Sequence, residues 1–282
     1  AGSFADANAG SNKAVSVTGY TLTGVDAGNY DVVQPNAVSA TIHKADVIVS
    51  GSKTYDGATS VAGSTLTATG VAGQQFSVTG AGDASNLSSK NVQSGAALAS
   101  ATGLSLGSSS NGGLASNYNA IGVAGSSYTV TAKGITLTGI SALDKIYDAT
   151  TTAALNTASV GYSGLINGDS VSLAGSGTGS FVTKNVGVNK AVTVSGYTLS
   201  GLDAGNYVVT QPSGLTASIS KASLVVSGIA AANKTYDATT GAALSGTAAV
   251  SALGSDSVSV IGAGAGSFAD ANAGSNKAVS VT

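Results

Sequence analysis

Apolar residues along this chain of 282 residues alternate with small polar ones over short stretches, and no ten-residue window carries a 3.6-residue period. Such alternation places every second side chain on one face of a strand. Between 133 and 220 it predicts strands at Ile135 and Leu137, Val171 and Leu173, Val192 and Val194, Tyr197 and Leu199, and Leu215, Ala217 and Ile219. The parity switches across Ser195 and Gly196. It switches in the same way between Val15, Val17 and Tyr20, Leu22, with Gly19 between them. Both switches predict a glycine bulge or a strand bending from one sheet to another. Every apolar run is interrupted well before the roughly 18 residues that a spanning helix needs, so no membrane partner is expected.

The pattern repeats. Ala1 to Thr18 recur identically as Ala265 to Thr282, an offset of 264, or three periods of 88. A Lys-x-Tyr-Asp run places Tyr55, Tyr147 and Tyr236 at 92 and 89 residues, and an Asn-Tyr pair places Tyr30, Tyr118 and Tyr207 at 88 and 89. Lys44, Lys133 and Lys221 mark boundaries that divide the chain into the C-terminal part of a repeat (1–43), two complete repeats (44–132 and 133–220) and the N-terminal part of another (221–282). A period near 88 is too long for a helical repeat or a solenoid coil, and it suits a small β-domain. The expected fold is all-β: a rod-like tandem array of immunoglobulin-like sandwiches, or β-grasp-like relatives, each with its own core. Ala1 opens inside the pattern, which predicts a piece of something longer. No Pro-rich or charged linker separates the repeats, so neighbours should meet directly and advance about 30 to 40 Å per repeat, from a strand rise near 3.3 Å.

Composition removes several kinds of chemistry. The charge is carried by 11 Lys and 13 Asp, with no Arg, Glu or Cys and a single His. Nucleic-acid binding needs clustered cations on one face, and none is present. Disulfides, thiolate metal sites and cysteine nucleophiles are absent. His43 sits beside Ile42 and has no counterpart near Lys133 or Lys221, so it reads as a solvent-facing strand residue and not a base. No Gly-x-Ser-x-Gly elbow is present to raise a serine nucleophile. Asp144, Asp148 and Asp169 leave a carboxylate pair for glycoside chemistry open, although active sites are rarely tiled along a repeat.

Two motifs offer local chemistry. Asp6-Ala-Asn8-Ala-Gly10 and its copy at Asp270 and Asn272 begin like a calcium loop, yet lack the bidentate Glu that closes one; an Asx-turn is the alternative. Asp26 to Tyr30 and Asp203 to Tyr207 read Asp-x-Gly-x-Tyr, the pattern of a tyrosine corner whose phenol bonds back to nearby backbone. At Tyr118 the preceding Asp and Gly are Leu114 and Ser116, so that corner is expected to close differently. Tyr55, Tyr147 and Tyr236 are expected to half-bury their rings with the hydroxyl hydrogen-bonded. Tyr30, Tyr118, Tyr207, Tyr55, Tyr147 and Tyr236 are thus all read as framework. No catalytic residue and no cofactor are expected.

Lys53 to Gly57, Phe4 to Gly10, Ser180 to Gly187, Asp203 to Tyr207 and the closing Ala217 to Ala222 follow one another in an order that resembles the YDG-type repeats of large bacterial surface proteins, including filamentous-haemagglutinin-like adhesins. Tyr147-Asp-Ala and Tyr236-Asp-Ala depart from the literal motif. The resemblance implies an extracellular stalk, spacer or matrix filament at the bacterial cell surface or in a biofilm matrix. Its partners would be neighbouring repeats of the same protein, including head-to-tail self-association. The alternative is a carbohydrate-binding module repeated for avidity towards surface glycans.

Overall fold

Short alternating stretches punctuated by glycine make short strands. The computed structural model describes residues 1–282 and holds 26 strands and five single-turn 3-10 helices, with no α-helix. The protein is all-β, with several sheets. No helix is long and apolar enough to cross a membrane. Two compact units form, one from 1–136, 162–174 and 198–210, the other from 137–161, 175–197 and 211–282.

In the first unit a six-stranded sheet runs in the order Gln93–Ala96, Ser127–Thr131, Ile48–Thr54, Leu66–Thr69, Gln75–Thr79 and Ser105–Ser109. Its pairs are antiparallel except for Ile48–Thr54 against Ser127–Thr131, where the first and last strands of the 44–132 repeat run parallel. The next repeat keeps that device in two pieces. Lys133 to Thr136 pair in parallel with Tyr207 to Thr210 in the first unit, and Lys145–Ile146 pairs in parallel with Leu215–Ser220 in the second. The second unit is built on a five-stranded sheet in the order Lys145–Ile146, Leu215–Ser220, Gly187–Ser195, Thr178–Phe181 and Thr152–Ala153.

The parity switch at Ser195 and Gly196 is a bend between sheets. Gly187–Ser195 lies in the five-stranded sheet, whereas Thr198–Ser200 pairs with Ser172–Ala174. Gly196 has φ +97° there, and a Cβ on it would lie 2.7 Å from the Ser176 carbonyl oxygen. Only glycine fits both demands. The equivalent Gly19 also has positive φ, but Tyr20 and Leu22 after it form no strand and stand exposed.

The expectation of one core per repeat is corrected. Val49, Tyr55, Phe76, Tyr128 and Val130 form one cluster with Ile135, Val171 and Tyr207, which lie beyond Lys133. The reason is the missing linker. The strand Ser127–Thr131 is followed after one residue by Lys133–Thr138, so the next repeat's first inward side chain, Ile135, falls on the same apolar surface. Residues 1–43 and 221–282 contribute no fully buried side chain. Ile135→Ala is therefore expected to cost about 2 to 5 kcal/mol, as deep aliphatic truncations do. Hydrogen exchange should show the loss in strand Ile48–Thr54 of the preceding repeat, and protection there unchanged from the parent protein would contradict a shared core.

Candidate functional site

The Lys-x-Tyr-Asp run folds around its own ammonium. Lys53 Nζ donates to Asp56 Oδ1 at 2.9 Å and to the carbonyls of Ala58 and Ser60 at 2.8 Å each. Lys145 holds Asp148, Thr150 and Thr152 in the same way, and Lys234 holds Asp237 and Thr239. A lysine ammonium offers three donors, and here each goes to an oxygen of the turn. The residue after the Asp takes a left-handed conformation: Gly57 at φ +78°, Ala149 and Ala238 at +64°. This is the physical content of the third motif position, where alanine carries strain that glycine avoids.

The turn presents its tyrosine to a carboxylate of the following repeat. Tyr55 donates its hydroxyl to Asp169 Oδ2 at 2.7 Å, Tyr207 donates to the same oxygen at 2.6 Å, and Lys90 Nζ donates to Oδ1 at 2.8 Å. The Asp169 side chain is 3 % exposed. The Tyr55 and Tyr207 rings meet edge to face at 5.4 Å, and Lys90 lies 5.7 Å from the Tyr55 ring centre. Beside this clamp, Asn206 accepts from the Val92 N–H at 2.9 Å and donates to Asn91 Oδ1 at 3.1 Å. In the second unit Tyr147 and Lys184 hold Asp256 in the same arrangement. At Asn117 the amide pairing recurs, with the Ala9 N–H at 2.9 Å and Asn8 Oδ1 at 3.0 Å.

The electrostatics follow from the contacts. Burial pushes the Asp169 carboxyl upward, but the Lys90 ammonium and the two phenols outweigh it and hold the group at about 2. Burial and the hydrogen bond to Asp169 push Tyr207 up to about 12. The bond to Asp169 raises Lys90, and the bond to Lys184 lowers Asp256. Lys145 holds Asp148 at about 2. A glycosidase acid needs a raised carboxyl, whereas Asp148 and Asp169 are both driven the other way.

The sequence profile of the YDG domain matches residues 1–40, 131–214 and 220–282, more than half of the chain. The chain belongs to the YDG-domain family. No curated protein and no solved structure matches it. The literal YDG at Tyr55 to Gly57 falls between the matched stretches, yet it forms the same lysine-filled turn as the two matched repeats that follow it.

Within this YDG chain the predicted site residues divide. Tyr55, Tyr118 and Tyr207 are buried, Tyr147 is half-buried, and Tyr30 and Tyr236 are exposed at 72 % and 63 %. The half-buried reading thus fits Tyr147, while Tyr55 goes deeper and Tyr236 stays out. The tyrosine corner is corrected in two respects. The Tyr207 hydroxyl does not return to its own turn; it accepts from the Ile166 N–H at 3.0 Å, on a separate loop. Tyr118 closes like Tyr207, accepting from the Val71 N–H at 3.1 Å and donating to Gln74 Oε1 at 2.7 Å. Ser116 changes nothing essential, because the turn Ala204–Asn206 does not place Gly205 at positive φ and leaves open space for a side chain, whereas Leu114 gives up the bond that Asp203 Oδ2 accepts from the Ser170 N–H at 2.9 Å.

At Asp6 and Asn8 an Asx-turn forms, with the Asn8 N–H donating to Asp6 Oδ1 at 2.8 Å. Lys13 Nζ sits on that carboxylate and on the Asn8 carbonyl, and Lys277 does the same at Asp270 and Asn272. A lysine ammonium stands in each loop where a cation would bind. Sequence reasoning missed Lys90, Lys184 and Asp256 and assigned Asp169 to other chemistry. Their signal was the repeated Lys-Asn-Val at 90–92 and 184–186.

Three outcomes test these assignments. Ala149→Gly should stabilise the second unit by about 1 kcal/mol by relieving left-handed strain, measured by denaturant unfolding. Asp169 has a folded value below its ordinary 3.8, so its stabilisation is complete above about pH 4 and lost as pH falls towards 2. Tyr207 is raised from 10.0 to about 12, so its share is complete below pH 10 and lost as pH rises towards 12. In pH-dependent unfolding Asp169→Asn should shrink the acid limb and Tyr207→Phe the alkaline one; limbs unchanged in the variants would refute the assignments. Calcium should leave the melting temperature unchanged, whereas a saturable rise would show that the metal displaces Lys13 or Lys277.

Proposed function

We propose that this YDG chain is a structural repeat region, a stalk, spacer or matrix filament, of a large secreted bacterial surface adhesin. The finer architecture belongs to the same proposal: a rod-like tandem array of immunoglobulin-like or β-grasp-like repeats lying outside the cell. The observation that carries it is the clamp. Tyr55 and Lys90 grip Asp169 of the following repeat, and Tyr147 and Lys184 grip Asp256 of the one after. A contact that recurs at two successive junctions and joins one repeat to the next is what an array under tension requires. Tyr55, Tyr118 and Tyr207 are buried and present no ring face on which a sugar could stack.

The carbohydrate-binding alternative keeps one supporting observation, the exposed rings of Tyr20, Tyr30 and Tyr236. Single-molecule stretching of the chain separates the readings. The stalk reading expects unfolding peaks whose force drops when Asp169→Asn removes the clamp, together with an elongated small-angle scattering profile and no glycan-array signal. Freely jointed scattering and a force trace insensitive to Asp169→Asn would overturn the stalk. Glycan binding abolished by Tyr236→Ala would install the alternative.

A further inference from the structure

We propose that Asn167 is a site of spontaneous covalent modification, at which its side chain cyclises onto the Gly168 nitrogen and opens to an isoaspartate that loosens the clamp between the 44–132 and 133–220 repeats. This site bears on the clamp whether or not the array is a stalk. Three turns of the chain share one frame. The Asp169 N–H donates to the Ile166 carbonyl at 3.2 Å, as the Gln74 N–H does to Val71 and the Asp256 N–H to Leu253, each at 3.1 Å. Of the three, Ile166-Asn-Gly-Asp169 alone carries Asn followed by Gly; the others read Val71-Ala-Gly-Gln74 and Leu253-Gly-Ser-Asp256.

The backbone nitrogen after an asparagine can reach that residue's own side-chain carbonyl and close a five-membered ring, and a glycine there puts no Cβ in the way. At Gly168 φ is +93°, and nothing lies within 4 Å of where a Cβ would be. Asn167 is exposed. The N–H that an Asx-turn would draw onto its side chain, that of Asp169, goes to Ile166 instead, so the amide is free to meet Gly168. The chain supplies its own comparison at Asn111-Gly112, the other Asn-Gly pair. There Asn111 Oδ1 accepts from the Gln75 N–H at 2.7 Å and the amide nitrogen donates to the Gly73 carbonyl at 2.9 Å, so that side chain is committed. In the reaction the Gly168 nitrogen loses its proton and bonds to Asn167 Cγ, the Cγ–NH2 bond breaks, and ammonia leaves with the proton. Water then opens the ring at one of its two carbonyls. Opening at the backbone carbonyl gives isoaspartate, and opening at Cγ gives aspartate.

The place of the turn makes the product matter. The Tyr207 hydroxyl touches both ends of it, accepting from the Ile166 N–H at 3.0 Å and donating to Asp169 Oδ2 at 2.6 Å. From the preceding repeat, Tyr55 donates to the same carboxylate, and a Cβ on Gly57 would lie 3.0 Å from Ile166 Cγ2. Isoaspartate routes the main chain through Cβ and Cγ, which adds one backbone atom between Ile166 and Asp169 and leaves a new carboxylate on the turn. The added atom shifts one end of the turn against the other, and one hydroxyl cannot then keep both bonds in geometry. The new charge stands two residues from Asp169, whose countercharge, Lys90 at 2.8 Å, is already shared with Asp203 at 3.7 Å.

Incubation of the 282-residue chain in mildly alkaline buffer, followed by peptide mapping in a mass spectrometer, reads the chemistry. Asn167 should exchange NH2 for OH at least about tenfold faster than Asn111, whose hydrogen bonds must open first, with isoaspartate as the main product. Hydrogen exchange on the aged chain should show protection lost at the Tyr55 N–H, which donates to the Thr131 carbonyl at 2.8 Å, and kept at the Tyr147 N–H, which donates to Ser220 at 2.9 Å beside the other clamp. Asn167→Gln, which would need a slower six-membered closure, should keep both its amide and the protection at Tyr55. Asn167→Asp adds the charge without the backbone atom and should fall between the fresh and the aged chain. An Asn167 that reacts no faster than Asn111, or an aged chain as well protected at Tyr55 as aged Asn167→Gln, would overturn the proposal.

Discussion

A buried carboxylate cannot stay ionised alone, and much of this fold is organised around satisfying one. Asp169 is charged and almost wholly enclosed, a combination that costs several kcal/mol unless a countercharge and full hydrogen bonding offset it. Both are supplied from distant positions in the chain: Tyr55 and Lys90 lie 114 and 79 residues before it, and Tyr207 lies 38 after it. The same requirement explains why the core crosses the repeat boundary. To reach Asp169, Tyr55 must lie against Tyr207, which brings Val171 and Ile135 onto the apolar surface of the preceding repeat.

The junction at Gln74 shows that this is a constraint and not a coincidence. There the position matching Lys90 and Lys184 is Ala7, and the position matching Asp169 and Asp256 is Gln74. Without a lysine opposite, an aspartate would be an unpaired buried charge. A neutral amide still accepts from the Tyr118 hydroxyl and carries no such penalty. Cation and anion vanish together, while the parts that involve no net charge, the tyrosine and the asparagine pairing at Asn117 and Asn8, persist. The same economy governs the lysines in the turns. With only 11 cations and no cysteine or metal cluster to staple small loops, the chain spends them inside oxygen-lined turns, where a long aliphatic stem is covered and three donors are satisfied at once.

What could be read from the sequence was what local periodicity controls. The β class, the 88-residue period and the bend at Gly196 all follow from alternation or a single glycine. The tyrosines could be recognised as recurrent, but not their partners, because a hydrogen bond across 114 residues leaves no local trace. Asp169 is a lone carboxylate in Asn167-Gly-Asp-Ser, indistinguishable in sequence from a solvated turn residue such as Asp83, whose carboxylate serves only Ser85. Asn86 shows the same limit: fully buried, it satisfies the N–H groups of Val61 and Asp83 and the carbonyls of Ser100 and Thr102, and nothing around it in sequence marks it as core. The lysine turns lay between these cases. Their spacing was visible, yet the ammonium in the role of a cation was not, since a calcium loop and a lysine-filled loop begin with the same Asp-x-Asn.

Sharing a core and a clamp across the repeat boundary changes what a repeat is. If each stretch of about 88 residues closed on itself, adjacent repeats would meet through polar surfaces and unfold one at a time. Here Ile135, Val171 and Tyr207 belong by sequence to one repeat and by packing to the one before, so neither completes its interior alone. Stability then resides in nearest-neighbour terms as much as in the repeats themselves, the condition under which an array gains cooperativity along its length.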